Sequence, residues 1–406
     1  MSHTAAELFR SRLYFSLAIL CALIGSSAPS PLYHLYQSQW GFSSLTLTAL
    51  FAVYVLGVLL ALSLLGRISD RLPDRRWIIV PALSTVAMGS MVLASAGSLE
   101  ALFLGRLLAG IGTGALTGSA NAVLIGLDAK ASRRHAPVLA TLAFTLGSAL
   151  GPVLSTVAVA ADVWPTVSPF VINAALAIYT AIRLCLIPRS LLVASMVSPR
   201  RSDRRRPTFA YAMQGLWGKF GRCSGILMLS WLLGSVVVAL GPSMYLFASQ
   251  PESPRSYVYA GLLVAAFQGI AGIAQYLLRS VPPRRAMSLG ASLLCVAWGG
   301  SVVGLWFHIP EVFAVGAVVA GVGYGAAFVG AMQAYITLAP ADHRATLGSL
   351  FYVAGYLGSG LGIIVIGSAA DHFGVPGAAL CVLLVMLVTM PLLLAFPRKE
   401  PKQDKV

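Results

Sequence analysis

Twelve stretches of roughly 20 mostly apolar residues, each long enough to cross a bilayer's hydrocarbon core, fill this 406-residue chain almost end to end. They run over 13–36, 46–66, 77–97, 101–125, 137–160, 168–188, 222–248, 257–279, 285–306, 311–337, 345–369 and 374–396. Inside a bilayer only helices and closed barrels satisfy every backbone N–H and C=O. These stretches are too long and too uniformly apolar for barrel strands. The sequence therefore predicts an all-α integral membrane protein. A soluble surface is ruled out, because only 10% of residues are charged where a soluble domain carries about 25%. Arg10 and Arg12 precede the first run as in a secretory signal, but no small-residue cleavage site follows, so the run reads as a retained span.

The net charge of +15 would point to nucleic acid in a soluble protein. Here the basic residues lie at the span ends on one side: RISDRLPDRR, LDAKASRRHA, 189–221, RSVPPRR, APADHRA and the tail RKEPKQDK. The opposite loops hold one basic residue, Arg255. Basic loops stay in the cytoplasm, so both termini are expected there, with the protein in the cell (inner or plasma) membrane and no nucleic-acid partner. The five cysteines lie in apolar segments without paired spacing, which predicts neither a disulfide framework nor a metal site.

The chain also repeats itself. LGSALGPVL (146–154) returns as LGSGLGIIV (357–365), GIGTGA (110–115) as GVGYGA (321–326), and PLYHLY (31–36) as PSMYLF (242–247), all at an offset of 211 residues. Two parallel repeats meeting around a midplane site form a transporter architecture. The predicted division is a six-helix bundle over 1–188, a cytoplasmic linker over 189–221, and a second six-helix bundle with a short tail over 222–406. The two bundles are pseudo-symmetric, and a monomer is expected.

These residues resemble the major facilitator superfamily over nearly the whole chain. Gly66, Asp70, Arg71, Arg75 and Arg76 match its loop signature after the second span, with Pro73 in place of the second glycine. GRLLAGIGTG, with Arg106 and Gly110, is similar to the fourth-span motif. GSALGP, with Gly147, Gly151 and Pro152, is similar to the fifth-span motif of twelve-span drug–proton antiporters, although Ser155 and Thr156 replace its final glycines. The resemblance implies a small-molecule substrate, protons as coupling ion and no cofactor. It also implies a cytoplasmic gate in which Asp70 meets the start of the eleventh span while Arg71, Arg75 and Arg76 pair across the halves or with lipid phosphate. Gly110 with Gly114, and Gly147 with Gly151, have the spacing of close helix contact, and Pro152 bends its helix. Static packing and a hinge or proton seal both stay open.

Polar and aromatic residues at helical spacing mark the cavity: Ser26, Ser30, Tyr33 and the adjoining His34 on the first span; Arg106, Thr117 and Asn121 on the fourth; Gln268 on the eighth; Tyr335 on the tenth, with Gln333 off its stripe; Tyr352 and Tyr356 on the eleventh. For each hydroxyl, helix–helix bonding competes with substrate contact. Arg106 is a charge within a span, which by default marks function; snorkelling to the headgroups, binding first-span carbonyls and holding an anionic group all stay open. None of the 13 Asp and Glu lies mid-span, which argues against a cation-selective cavity. His34 is the one cavity side chain with a suitable ordinary pKa.

The reading is a secondary transporter that exports a neutral, weakly anionic or amphipathic compound. The alternatives are a facilitator or uptake carrier and, from another class, a non-transporting receptor or an enzyme. The six histidines are scattered, and no Gly-x-x-x-x-Gly-Lys-Ser/Thr loop supports ATP-driven transport.

Overall fold

The computed structural model describes residues 5–69, 74–130, 136–188, 215–249, 253–338 and 344–395. Asp70, Arg71 and most of the expected linker lie outside these residues. Helices account for nearly all of them: α1 (Ala5–Ser27), α2 (Tyr33–Trp40), α3 (Ser44–Ser69), α4 (Arg76–Ala94), α5 (Leu99–Lys130), α6 (Ala136–Ala160), α7 (Ser168–Cys185), α8 (Trp217–Ala239), α9 (Gly241–Ala248), α10 (Pro254–Leu277), α11 (Pro283–Trp306), α12 (Pro310–Leu338), α13 (Arg344–Leu357) and α14 (Ile363–Leu394).

Eleven helical stretches among the described residues are long and apolar enough to cross a membrane. The last, Leu350–Leu394, has 45 residues, about 68 Å at 1.5 Å per residue and twice a bilayer's depth. It is two crossings. Gly374, at φ +72°, takes a left-handed conformation open to glycine without steric cost, and the chain turns back there. Thus Gly358 packs on Met228 before the turn, while Leu393 after it lies beside Gly225 on the same α8. Gly358–Gly362 forms a π turn within the eleventh span.

The first and seventh spans are each broken in the same place. α1 stops at Ser27 and the chain resumes through a 3-10 turn, Ser30–Leu32, into α2; α8 stops at Ala239 and resumes at Gly241 in α9. Pro31 and Pro242, equivalent under the 211-residue repeat, cause the breaks, because proline lacks the N–H that would continue the helix.

In the first half, α5 packs on α1, α3 and α4, and α6 on α1; in the second, α12 packs on α8, α10 and α11. The halves touch chiefly through α6 against α10 and α3 against α14. One apolar core lies within the first half, around Phe15, Leu83, Leu116 and Leu124. The larger core belongs to the second half, yet takes in Leu32, Tyr33, Tyr36, Leu47 and Leu50 from the first. Large apolar side chains such as Phe144, Val157, Ile178, Val296 and Val388 stand exposed, which suits lipid and not water.

Candidate functional site

The two helix breaks face one another, and their chemistry explains why. The carbonyl of Val238 would accept a bond from residue 242, but Pro242 has no N–H to give. Ser30, in the break of the first span, donates its hydroxyl to that orphaned oxygen across the seam. One turn further out, His34 Nδ1 lies 3.3 Å from Ser243 Oγ. Asp371, at the end of the eleventh span, accepts the Ser44 and Leu45 amides at the start of α3, at 2.8 and 3.0 Å. Partial burial raises the Asp371 carboxyl, but the amides of Leu45 and Ser44 outweigh it and hold the group below its ordinary value. Gly261 on α10 seats Thr156 of α6. All these ties lie at the face opposite the basic loops, the far face, where a cavity of about 190 Å³ lies among His34, Gln37, Ser44 and Ser243.

Inward from this seal sits Arg106, 1% exposed. The snorkelling alternative is overturned, since the guanidinium points into the protein. Because α1 ends at Ser27, the carbonyls of its last turn lack helical partners; Arg106 Nη1 donates to one of them, Ser26 O, at 2.7 Å. Its guanidinium carbon lies 4.5 Å from the Tyr54 ring centroid, 5.8 Å from Phe51 and 5.9 Å from Tyr33. Nη2 has no hydrogen-bond partner among the described residues. The aromatic faces compensate part of the buried charge, an effect that strengthens on desolvation.

The second half presents rings to this charge. Tyr356 packs against the cluster of Tyr54, Val55, Val58 and Ala109, and its ring stands edge-on to Trp231 at 4.9 Å. Trp231 is also stacked with Phe328 at 6.2 Å and tilted against Tyr352 at 6.1 Å. Its six-membered ring lies over Gly355, where a Cβ would come within 2.8 Å. A line of contacts therefore runs from Arg106 through Tyr54 and Tyr356 to Trp231, joining the halves.

The interior opens away from the seal. Along α5, the strip between the contact with α1 (Thr113 bonded to Ala22 O) and the contact with α3 (Gly114 against Val58) passes from Arg106 to Thr117, Gly118 and Asn121. Arg106 and Thr113 are buried, Thr117 is half-buried, and Gly118 and Asn121 are exposed. A Cβ added at Gly118 would meet nothing within 4 Å. Access thus grows toward the basic face.

Other expected site residues are placed elsewhere. Ser30 is a tie between the halves and not a cavity contact. Gln333 donates to the Arg279 carbonyl, which joins the basic ends of α12 and the eighth span. Tyr335 is stacked on Phe351 at 5.1 Å, inside the second half. Gln268 is half-buried on α10, and Ser26 serves Arg106 through its backbone. Gly110 seats the Tyr54 carbonyl of α3 and Gly114 that of Val58; Gly147 seats Leu20 of α1, and Gly151 seats Ser27 and Ala28. These contacts are within one half, as is Pro152 in α6.

At the basic face, Gly66 lies in the last turn of α3 and Arg75 just before α4. Arg76 does not reach across the halves. Its guanidinium pairs with Asp74 at 2.7 Å and donates to the carbonyls of Leu184, Cys185 and Ile187 at the end of α7. Cations favour helix C-termini, so Arg76 fastens α4 to α7 within the first half.

Sequence reasoning missed Asp371, Ser243, Asp74 and Trp231. Trp231 carried one signal, a mid-span indole opposite a polar-aromatic stripe on the eleventh span. Among the described residues no group of three His, Cys, Asp or Glu is placed to hold a metal ion.

Comparison with known proteins agrees with this architecture. The model of the Major Facilitator Superfamily matches residues 15–300 and 256–406. The chain is 38% identical over 114 residues, 28% of its length and 22% of the relative's, to a protein of Mycobacteroides abscessus named a triacylglyceride transporter. It spans about a fifth of the length of the first such curated relatives. Its fold is similar to that of a POT family transporter solved in complex with 5-aminolevulinic acid (TM-score 0.74, 13% identity, 95% of each chain). It is also similar to a D-xylose–proton symporter (TM-score 0.72, 14% identity, 95% of this chain and 97% of the other).

Proposed function

The chain belongs to the major facilitator superfamily, and we propose that within it this transporter exports a small neutral, weakly anionic or amphipathic compound by alternating access. The observation that carries this reading is the one-sided interior: sealed at the far face by Ser30, His34 and Asp371, and increasingly accessible along Thr117, Gly118 and Asn121 toward the basic face. The basic face is cytoplasmic by its Lys and Arg, so both termini are cytoplasmic and the site loads from the cytoplasm. The two moving bodies are 1–188 and 222–406, with 189–221 as tether.

The substrate range follows from the site's charge. An acid-free interior with one buried guanidinium disfavours cations, and the rings around Trp231 favour an apolar body. Relatives named for triacylglyceride, a neutral lipid, support the apolar part of that range. Protons are the coupling ion in this reading. One proton entering down ~100 mV supplies about 2.3 kcal/mol, enough for a gradient of about fifty-fold.

The test is transport into inside-out vesicles of reconstituted protein under an imposed pH gradient, with neutral, anionic and cationic compounds compared. The expected result is gradient-driven accumulation of neutral or anionic compounds. Accumulation indifferent to the gradient refutes proton exchange. Anion transport unchanged in Arg106→Ala refutes the role given to that charge.

A further inference from the structure

Of the buried polar groups that have hydrogens to give and no partner among the described residues to take them, three belong to the ring line and its charge. Arg106 Nη2, the Tyr33 hydroxyl and Trp231 Nε1 are each buried without a hydrogen-bond partner among the described residues. Unmet donors in a low-dielectric interior are costly, at about 1–3 kcal/mol each and more for a charged group. Acceptors are scarce in this region, because no carboxylate lies mid-span and the Ser26 carbonyl is already taken by Arg106 Nη1. A molecule bringing its own acceptors removes that cost.

The geometry around Trp231 adds a shape requirement. The indole is fixed from several sides: Gly355 beneath its six-membered ring, Phe328 stacked at an interplanar angle of 13°, and the Tyr356 ring edge-on at 76°. It is nevertheless only half-buried. A rigid, partly exposed ring offers an aromatic contact, and aromatic partners gain most from stacked or edge-to-face geometry. The ring line from Trp231 through Tyr356 and Tyr54 to Arg106 leads from this surface to the charge.

We infer that the central site is built for planar aromatic compounds bearing an anionic or acceptor-rich group, the ring on Trp231 and the acceptor toward Arg106 and Tyr33. This rests on the transporter reading above and narrows its substrate class. Trp231 is then the specificity-determining residue: it selects flat bodies over saturated ones, while Arg106 selects anions over cations.

Equilibrium binding to the purified full chain tests it with three matched probes: naphthoate, its saturated counterpart decalin carboxylate, and naphthylmethylammonium. Naphthoate is expected to bind about tenfold more tightly than the saturated acid, and the ammonium compound not measurably. Trp231→Ala is expected to weaken naphthoate about tenfold and leave the saturated acid unchanged, while Trp231→Phe stays close to wild type. Equal affinity for flat and saturated acids overturns the inference, as does full naphthoate affinity in Trp231→Ala. The probe comparison on the wild-type chain decides the matter even if Trp231→Ala does not fold. Two-sided cysteine labelling at Asn121→Cys in reconstituted vesicles reports alternating access independently. Loss of naphthoate binding with access intact therefore sinks the substrate class and leaves the transporter standing.

Discussion

Asp371 caps Ser44: the Oδ1 atom of the acid ending the eleventh span accepts the first amide of α3 at 2.8 Å, and Oδ2 takes the next amide at 3.0 Å. The contact crosses from one half to the other at the far face, where a carboxylate meets the positive end of a helix. Asp371→Asn is expected to weaken the seal by about 1 kcal/mol, raising the ratio of far-open to far-closed protein about fivefold. Cysteine labelling at Ser243→Cys from the far side checks this; unchanged labelling removes Asp371 from the seal.

The same contact fixes a pH dependence. A carboxyl held below its ordinary value of 3.8 contributes fully above that value and loses its contact as pH falls through the lowered one. The difference in far-face opening between wild type and Asp371→Asn, read by a pH-insensitive distance probe across the seam, should therefore be constant between about pH 5 and 8 and vanish only below about pH 4. A midpoint near neutrality would assign the response to another group.

Ser30→Ala leaves the Val238 carbonyl without a donor, at a cost of about 1–3 kcal/mol borne by the far-closed state. Pro242→Ala supplies an N–H at the position from which α-helical geometry reaches that carbonyl. The Ser30 substitution should thus cost less in the Pro242→Ala background. Additive effects on far-side labelling in the double-mutant cycle would show that the two groups do not share the oxygen.

On the proposal that the loop holding Asp70 is the cytoplasmic gate its signature implies, Asp70→Asn is expected to cut transport while membrane expression stays near normal. Wild-type transport rates in this variant would remove that role.

Two glycines of α5 should respond oppositely to alanine. A Cβ at Gly110 runs into the Tyr54 carbonyl, whereas a Cβ at Gly118 meets nothing within 4 Å. Gly110→Ala should lower thermal stability and yield, while Gly118→Ala, gaining up to ~1 kcal/mol of helix propensity, should match or exceed wild type. Thermal unfolding of the purified variants separates the two.

The spans were legible because lipid imposes one rule on length and polarity, and their ends lie within a few residues of expectation, apart from the early start of α1 at Ala5. The side-chain targets were not legible. Arg106 finds Ser26 O only because the first span stops at Ser27, and that stop depends on how the chain passes Pro29 and Pro31. The loop signature implies that Arg76 pairs across the halves or with lipid phosphate, yet its partners are Asp74 and carbonyls at the end of α7, which have no signature in composition. Helical spacing puts Ser30 on the cavity stripe, because spacing reports a face and says nothing of what that face meets.

The wide turn at Gly358–Gly362 acts as a phase shifter. Tyr356 lies before it and Asp371 after it on one continuous rod, so the turn sets the azimuth between the ring at the centre and the acid at the rim. Deleting one of its glycines would rotate everything beyond by about 100°, carry Asp371 off Ser44, and leave Tyr356 where it stands.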